Sequence, residues 1–189
     1  VPLRVRAALP GRAGRLLNLR DIEQGLENMQ RVPTAEANMQ IAPSSAPGQA
    51  APGQSDLVVR YSQQRPVRLN ISLDNSGTKS TGKYQATAAL SLDNPLRLND
   101  LFYASYSRAL GGGRAPTHGS RGSDAYNVHY SIPLGYWLLS AGFSKNSYHQ
   151  TVAGAVQNYR YSGDSQSAEI ALGRVLYRDA NRKTTFTLK

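Results

Sequence analysis

From residue 65 onward the apolar positions recur at every second residue, a period that predicts strands. Leu69, Ile71 and Leu73 alternate with Arg68, Asn70, Ser72 and Asp74. After a Gly-bearing loop, Tyr84, Ala86, Ala88, Leu90 and Leu92 alternate with Gln85, Thr87, Ala89, Ser91 and Asp93. Successive side chains of a strand point to opposite sides, so each run has one apolar face and one wet face. A third strand is predicted at 100–108. A fourth, 125–132, sets Tyr126, Val128, Tyr130 and Ile132 against Asn127, His129 and Ser131. A fifth, 136–145, sets Trp137, Leu139, Ala141 and Phe143 against Ser140, Gly142 and Ser144. In a sixth, 165–177, Ala168, Ile170, Leu172 and Leu176 oppose Glu169, Ala171 and Gly173, and a seventh starts near Thr184 with Phe186 and Leu188. Arg174 breaks the phase of the sixth, which predicts a bulge or a switch to the wet side there, or else a different register.

Residues 1–64 read differently. Leu19, Ile22, Leu26 and Met29 recur at helical spacing. Asn18 is positioned as an N-cap, with Asp21 and Glu23 in the first turn, where the helix dipole favours acid. Val32-Pro33 ends the helix. Two short strands, 37–42 and 56–62, flank the Pro/Gly-rich connector 43–54. Helix, strand, loop, strand is the end of an α+β unit, for which a generic ferredoxin-like fragment is one reading. Arg65-Pro66 marks the boundary, giving segments 1–64 and 65–189.

An apolar strand face meets either a protein core or lipid, the wet face lining an aqueous lumen in the second case. The connections discriminate. Residues 75–83 form a medium connection, 94–99 a short one, 109–124 a long one, 133–135 a very short one, 146–164 a long one and 178–183 a short one. Up-and-down antiparallel strands put alternate connections at opposite ends, so the tight ones share the end that faces the N-terminal segment. Short periplasmic turns and long outer loops are the habit of outer-membrane barrels, whereas soluble barrels alternate less regularly. On this reading Gly111-Gly-Gly-Arg114, Arg121 and the loop 148–161 face the exterior. Tyr84, Tyr103, Tyr126, Tyr130, Tyr136, Trp137 and Tyr177 become candidates for interface girdles.

Composition narrows the classes. No apolar run approaches the roughly 20 residues of a membrane helix, so any crossing is made by strands. There is no cysteine, which removes disulfides and thiolate metal sites. The start, Val-Pro-Leu-Arg-Val-Arg, has neither an initiator Met nor the pattern of a signal peptide; it reads as a mature or excised piece whose targeting signal, if any, lies outside it. Net charge is +10, from 7 Lys/Arg against 5 Asp/Glu in residues 1–64 and 15 against 7 in the rest, an excess of 2 + 8. The cations are scattered singles without aromatic interleaving, which argues against nucleic acid.

Catalytic chemistry finds no support. His118, His129 and His149 lack metal-ligand spacing. There is no Gly-x-Ser-x-Gly elbow, and Gly111-Gly-Gly-Arg114 lacks the Gly-Lys-Ser/Thr of a phosphate loop. Asp74-Asn75 and Asp93-Asn94 precede turns, where their side chains bond nearby backbone. The expectation is no enzyme, no metal and no cofactor.

Four strings, 17–31 (LNLRDIEQGLENMQR), 52–59 (PGQSDLVV), 73–82 (LDNSGTKSTG) and 93–100 (DNPLRLND), resemble the outer-membrane transporters of two-partner secretion, of ShlB/FhaC/CdiB type. The resemblance follows the family's order over most of the chain. It implies that 1–64 is most of the second POTRA domain, in the periplasm, and that 65–189 opens a sixteen-stranded barrel in the outer membrane. It also implies no catalysis, transport driven by folding of the exported chain outside, and a monomeric barrel. The family's first POTRA domain, plug helix and Val-Arg-Gly-Tyr inward loop are not in this sequence. Arg121-Gly122 matches that last motif only as a dipeptide in another loop. Seven strands cannot close such a barrel, and an open edge is not viable in lipid, so the chain reads as a fragment of the functional unit.

The expected partners are a large secreted exoprotein, unfolded in transit, and outer-membrane lipid. The exposed face of the 18–31 helix (Arg20, Gln24, Asn28, Arg31) and strand positions Asn38 and Gln40 are candidates for holding the exoprotein by strand addition; a plain solvated face is the other reading. Arg68, Asn70, Ser72, Gln85, Thr87, Asn127 and Glu169 are candidates for lining the lumen as a hydrated, weakly attractive wall. A barrel-assembly insertase of the same architecture and a soluble β-rich binding module are the alternatives.

Overall fold

The computed structural model describes residues 2–44, 54–110 and 121–189. Two helices, α1 (Leu3–Ala8) and α2 (Leu19–Gln30), precede a two-stranded antiparallel ribbon of β1 (Ala35–Pro43) and β2 (Ser55–Gln63). Then come seven strands in one antiparallel meander: β3 (Val67–Asp74), β4 (Tyr84–Asp93), β5 (Leu101–Leu110), β6 (Gly122–Leu134), β7 (Trp137–Ala153), β8 (Asn158–Arg178) and β9 (Lys183–Leu188). Among the described residues no helix is long and apolar enough to cross a membrane.

α2 starts where the cap predicts, with Asn18 Oδ1 accepting from Arg20 N at 2.9 Å. Its apolar side, Ile22, Gly25 and Met29, packs the module's small core with Val5 and Ala8 of α1 and the inward residues of the ribbon. Gly25 has a packing reason: a Cβ there would sit 2.4 Å from Leu9 Cδ2. The six-residue α1 carries too little periodicity to be read from sequence.

The long outer loop expected at 146–164 is instead strand. β7 and β8 stay paired out to Ala153 and Asn158, which leaves only 154–157 as the turn. Beyond Lys145 the sides change character: Ser147, His149 and Thr151 continue the apolar face, while Tyr148, Val152, Tyr159 and Tyr161 fall on the other, so the alternation loses its phase while the backbone ladder continues. The Gly111–Arg114 segment and His118 lie outside the described residues. Arg121 donates to the Lys79 carbonyl at 2.7 Å, placing the connections after β3 and β5 at one end of the sheet. Arg174 keeps its phase; the register shift comes later, between Val175 and Tyr177.

Candidate functional site

Cross-strand register carries each strand's two faces across the whole sheet. One face holds the rows Arg68–Ser91–Tyr103–His129–Gly142–Glu169, Asn70–Ala89–Ser105–Asn127–Ser144–Ser167 and Ser72–Thr87–Ser107–Ala125–Asn146–Ser165. These are small hydroxyl and amide side chains in the main. Several bond to one another, as in Thr87 Oγ1 with Ser107 Oγ at 2.6 Å and Ser144 Oγ with Ser167 Oγ at 2.7 Å. Gln85 shares this face through its pairing with Asp74. All seven sequence-predicted lumen candidates therefore stand on one surface. Two of them are not bare charges: Arg68 Nη2 pairs with Asp93 Oδ1 at 2.9 Å and Glu169 with Lys189 at 3.3 Å.

The opposite face holds Val67–Leu92–Phe102–Tyr130–Ala141–Ile170 and Leu69–Leu90–Ala104–Val128–Phe143–Ala168. Nothing covers it. Leu69 is 65% and Ile71 68% exposed, and Val128 and Leu139 are also exposed. Patches of this size on a water-soluble monomer are rare. On β7 the uncharged positions of this face run from Trp137 to Phe143, with Lys145 following. The eight residue-to-residue steps from 137 to 145 span about 27 Å along a strand. At a tilt of about 40° that is about 20 Å of height, close to the apolar band of an outer-membrane barrel. At the outer edge Tyr106 and Tyr126 pack with ring centroids 4.6 Å apart, and Tyr106 donates to Asp124 at 2.8 Å. Tyr84, Tyr126, Tyr130, Trp137 and Tyr177 lie on the apolar side as expected. Two girdle candidates do not: Tyr103 faces the polar side, and Tyr136 sits in a turn.

The tight turns carry the second part of the site. The segment 94–100 folds on itself around Asp100, whose carboxylate accepts from Leu96 N and Leu98 N at 3.2 Å and from the Tyr130 hydroxyl at 2.9 Å. Asn94 and Asn99 take positive φ (65° and 60°), which asparagine tolerates, and Arg97 does so as well (60°). The Asx role expected for Asp93-Asn94 is present and reaches further. Asn94 Nδ2 donates to Tyr61 and Gln63 of β2, Gln63 Nε2 donates to the Asp93 carbonyl at 3.0 Å, and Asn99 Nδ2 donates to the Arg4 carbonyl at 2.8 Å.

The helix face expected to be free is in fact committed to this junction. Gln24 is 4% and Asn28 5% exposed. Asn28 Nδ2 donates to the carbonyls of Ala8 (2.8 Å) and Gly135 (2.7 Å), and Gly135 N returns to the Ala7 carbonyl at 2.8 Å. Arg178 Nη1 donates to Gln24 Oε1 at 2.8 Å and Glu27 Oε2 at 2.6 Å, with Nε 3.4 Å from Glu23. Arg31 is half-buried and donates to Ser131 Oγ. Arg20 pairs along the helix with Glu23 at 2.7 Å. The sheet partners of Gln24, Asn28 and Arg31 lie 100 to 154 residues away, which no local pattern reveals. Only Asn38 and Gln40 remain exposed, on the outer side of the ribbon opposite Arg60 and Val58. Among the described residues no group of three or more His, Cys, Asp or Glu is placed to hold a metal.

Charge reinforces the junction. Burial alone would raise the Glu27 carboxyl, but hydrogen bonds from Lys183 and Arg178, with their charges, hold it below the ordinary glutamate range. A lowered folded-state value means stability that is complete above the unfolded value and lost as pH falls through the folded one. The junction is therefore expected to weaken on acidification below about pH 4.5. Thermal unfolding at pH 6 and pH 4 checks this; Glu27→Gln should shrink the difference, and an unchanged difference would refute the assignment. Burial and the hydrogen bond to Asp21 (2.6 Å) push the Tyr136 phenol up to about 12, so that contact stays intact through neutral pH.

Comparison with known proteins agrees with this geometry. Residues 53–189 match the family model described as haemolysin secretion/activation protein ShlB/FhaC/HecB, and residues 1–43 match the POTRA domain model. The chain is 40% identical over 178 residues (93% of its length) to the outer membrane transporter CdiB-2 of Burkholderia pseudomallei. It is 30% identical over 176 residues (92%) to the hemolysin transporter protein ShlB of Serratia marcescens. Solved structures of CdiB from Escherichia coli and Acinetobacter baumannii superpose with TM-scores of 0.82 and 0.80, each at 32% identity over 98% of this chain. The chain spans 29% of the length of each of those two relatives and 33% of each solved chain. A POTRA domain docked on the turn end of an antiparallel, two-faced sheet, matched over residues 53–189, places this chain in the ShlB/FhaC/HecB family of outer-membrane haemolysin secretion/activation proteins.

Proposed function

We propose that this chain supplies the POTRA-to-barrel junction and the first wall of a pore through which one large partner protein leaves the cell unfolded. The observation that carries the reading is the unbroken division of seven strands into an uncovered apolar face and a small-polar face. Lipid satisfies the first and a water-filled conduit the second. The polar rows suit passage: serine, threonine and asparagine offer weak, exchangeable hydrogen bonds, and the charges of Arg68 and Glu169 are already paired. An extended chain then slides without a deep binding well. Residues 1–64 form the periplasmic receiving module in this reading, and Asn38 and Gln40 are the exposed positions left to meet the exoprotein, by strand addition along the ribbon.

Single cysteines test the pore, since this sequence has none of its own. In the complete transporter, cysteines at Asn127 and His129 are expected to react with a water-soluble maleimide and to cross-link to the exoprotein stalled in transit. Cysteines at Val128 and Tyr130 should do neither. Equal labelling at all four sites, or the opposite alternation, would overturn the conduit. Deleting the gene should abolish secretion of one exoprotein; loss of many outer-membrane barrels instead would point to an insertase.

A further inference from the structure

We infer that Arg174 and Trp137 form a seat for the phosphate of an anionic glycerophospholipid in the periplasmic leaflet. The inference rests on the membrane-facing reading of the apolar side and adds to it a specific headgroup site. Arg174 stands on that side in the row Leu134–Trp137–Arg174–Phe186, flanked on both edges by paired strands. It is the row nearest the tight turns whose residues still pair across all four strands. The three rows beyond it, Ile132–Leu139–Leu172, Tyr130–Ala141–Ile170 and Val128–Phe143–Ala168, contain no charge. The guanidinium carbon lies 4.7 Å from the centre of the Trp137 ring. Arg174 is exposed and has no ion pair among the described residues, whereas Arg178, four residues on, has two carboxylates.

A guanidinium at a hydrocarbon boundary without a counter-ion is expensive. Snorkelling to water would relieve it, but here the guanidinium sits over an indole instead. The contact with the ring restrains the planar fork without using its N–H donors, and a phosphodiester presents two oxygens with matching geometry. The indole supplies further attraction and is itself at home at the headgroup level. The apolar rows beneath would take the acyl chains of the same lipid. That continuity favours a lipid over a soluble anion, which would gain only the charge.

The test uses the complete transporter in detergent, titrated with dimyristoyl-phosphatidylglycerol and read by native mass spectrometry. Arg174→Gln is expected to weaken the tightest lipid by about tenfold, and Trp137→Phe and Arg174→Lys by a few-fold each. Arg108→Gln, at the outer edge of the band and paired with Asp124, should leave it unchanged. Glycerophosphate, the headgroup without chains, should fail to compete. Equal lipid retention by wild type and Arg174→Gln, in a protein that still requires detergent, overturns this site alone. A protein that stays monodisperse without detergent overturns the membrane-facing reading and the site with it.

Discussion

Replacing Arg178 by methionine should unhook the POTRA domain from the barrel while leaving both folded. The guanidinium is the one group that Glu23, Gln24 and Glu27 share, and its side chain is only 17% exposed. Removing it leaves the buried Gln24 Oε1 without the donor it accepts from, and leaves Glu23 and Glu27, four residues apart on one helix face, with Arg20 and Lys183 as their remaining counter-charges. Glu23 and Glu27 stay partly hydrated and keep one cation each, so the loss of Arg178, mostly the unmade hydrogen bonds at Gln24 and Glu27, costs about 1–3 kcal/mol. At about 1.4 kcal/mol per decade, that shifts the docking equilibrium by roughly five-fold to a hundredfold. Hydrogen exchange should accelerate in α1, α2 and residues 94–100 together, with strands β4–β7 unaffected. Combining Arg178→Met with Glu27→Gln should cost less than the sum of the two. Additive effects, or unchanged exchange in α2, would show that the ion network does not hold the domains. Secretion is expected to fall with docking, since the proposed route runs from module to pore.

The second large effect is expected at Asp100. Its side chain is fully buried, and its two oxygens organise a turn that contains no glycine yet has three residues at positive φ. Asp100→Ala strands two backbone N–H groups and the Tyr130 hydroxyl, each an unsatisfied donor costing about 1–3 kcal/mol, for a total of about 3–5 kcal/mol once the turn relaxes. The loss spreads, because the same turn holds Tyr61 and Gln63 of β2 and the Arg4 carbonyl of α1. The expected outcome is a lower urea midpoint for the whole protein and less mature barrel in the outer membrane. Asp100→Asn keeps one acceptor oxygen and should fall between. An alanine variant as stable as wild type would mean that the turn is shaped by its strands and not by this carboxylate.

The strands were legible because their signal is local. Period-two alternation assigned Asn70, Ser72, Thr87, Asn127 and Glu169 to one side before any register was known, and pairing then only had to align rows already sorted. The α2 cap at Asn18 was equally local. The β7–β8 hairpin beyond residue 146 is not legible for the complementary reason: polar residues take over the apolar side and Tyr148, Val152, Tyr159 and Tyr161 fall on the other, so no continuous phase marks a ladder made of backbone. Arg174 was read as a phase error because a cation on an apolar face violates the pattern unless one knows that Trp137, on another strand, lies beneath it.

The chain's own order of residues determined which side of every spanning strand is apolar, since that follows from geometry within one strand. What only the tertiary structure decided is the fate of the polar helix face. Gln24 and Asn28 look solvated in sequence, yet they are the residues that bind Gly135 and Arg178, more than a hundred positions away. A polar side chain can satisfy its hydrogen bonds with water or with a distant turn at nearly equal free energy, so its identity does not reveal the choice. The apolar faces had no such freedom.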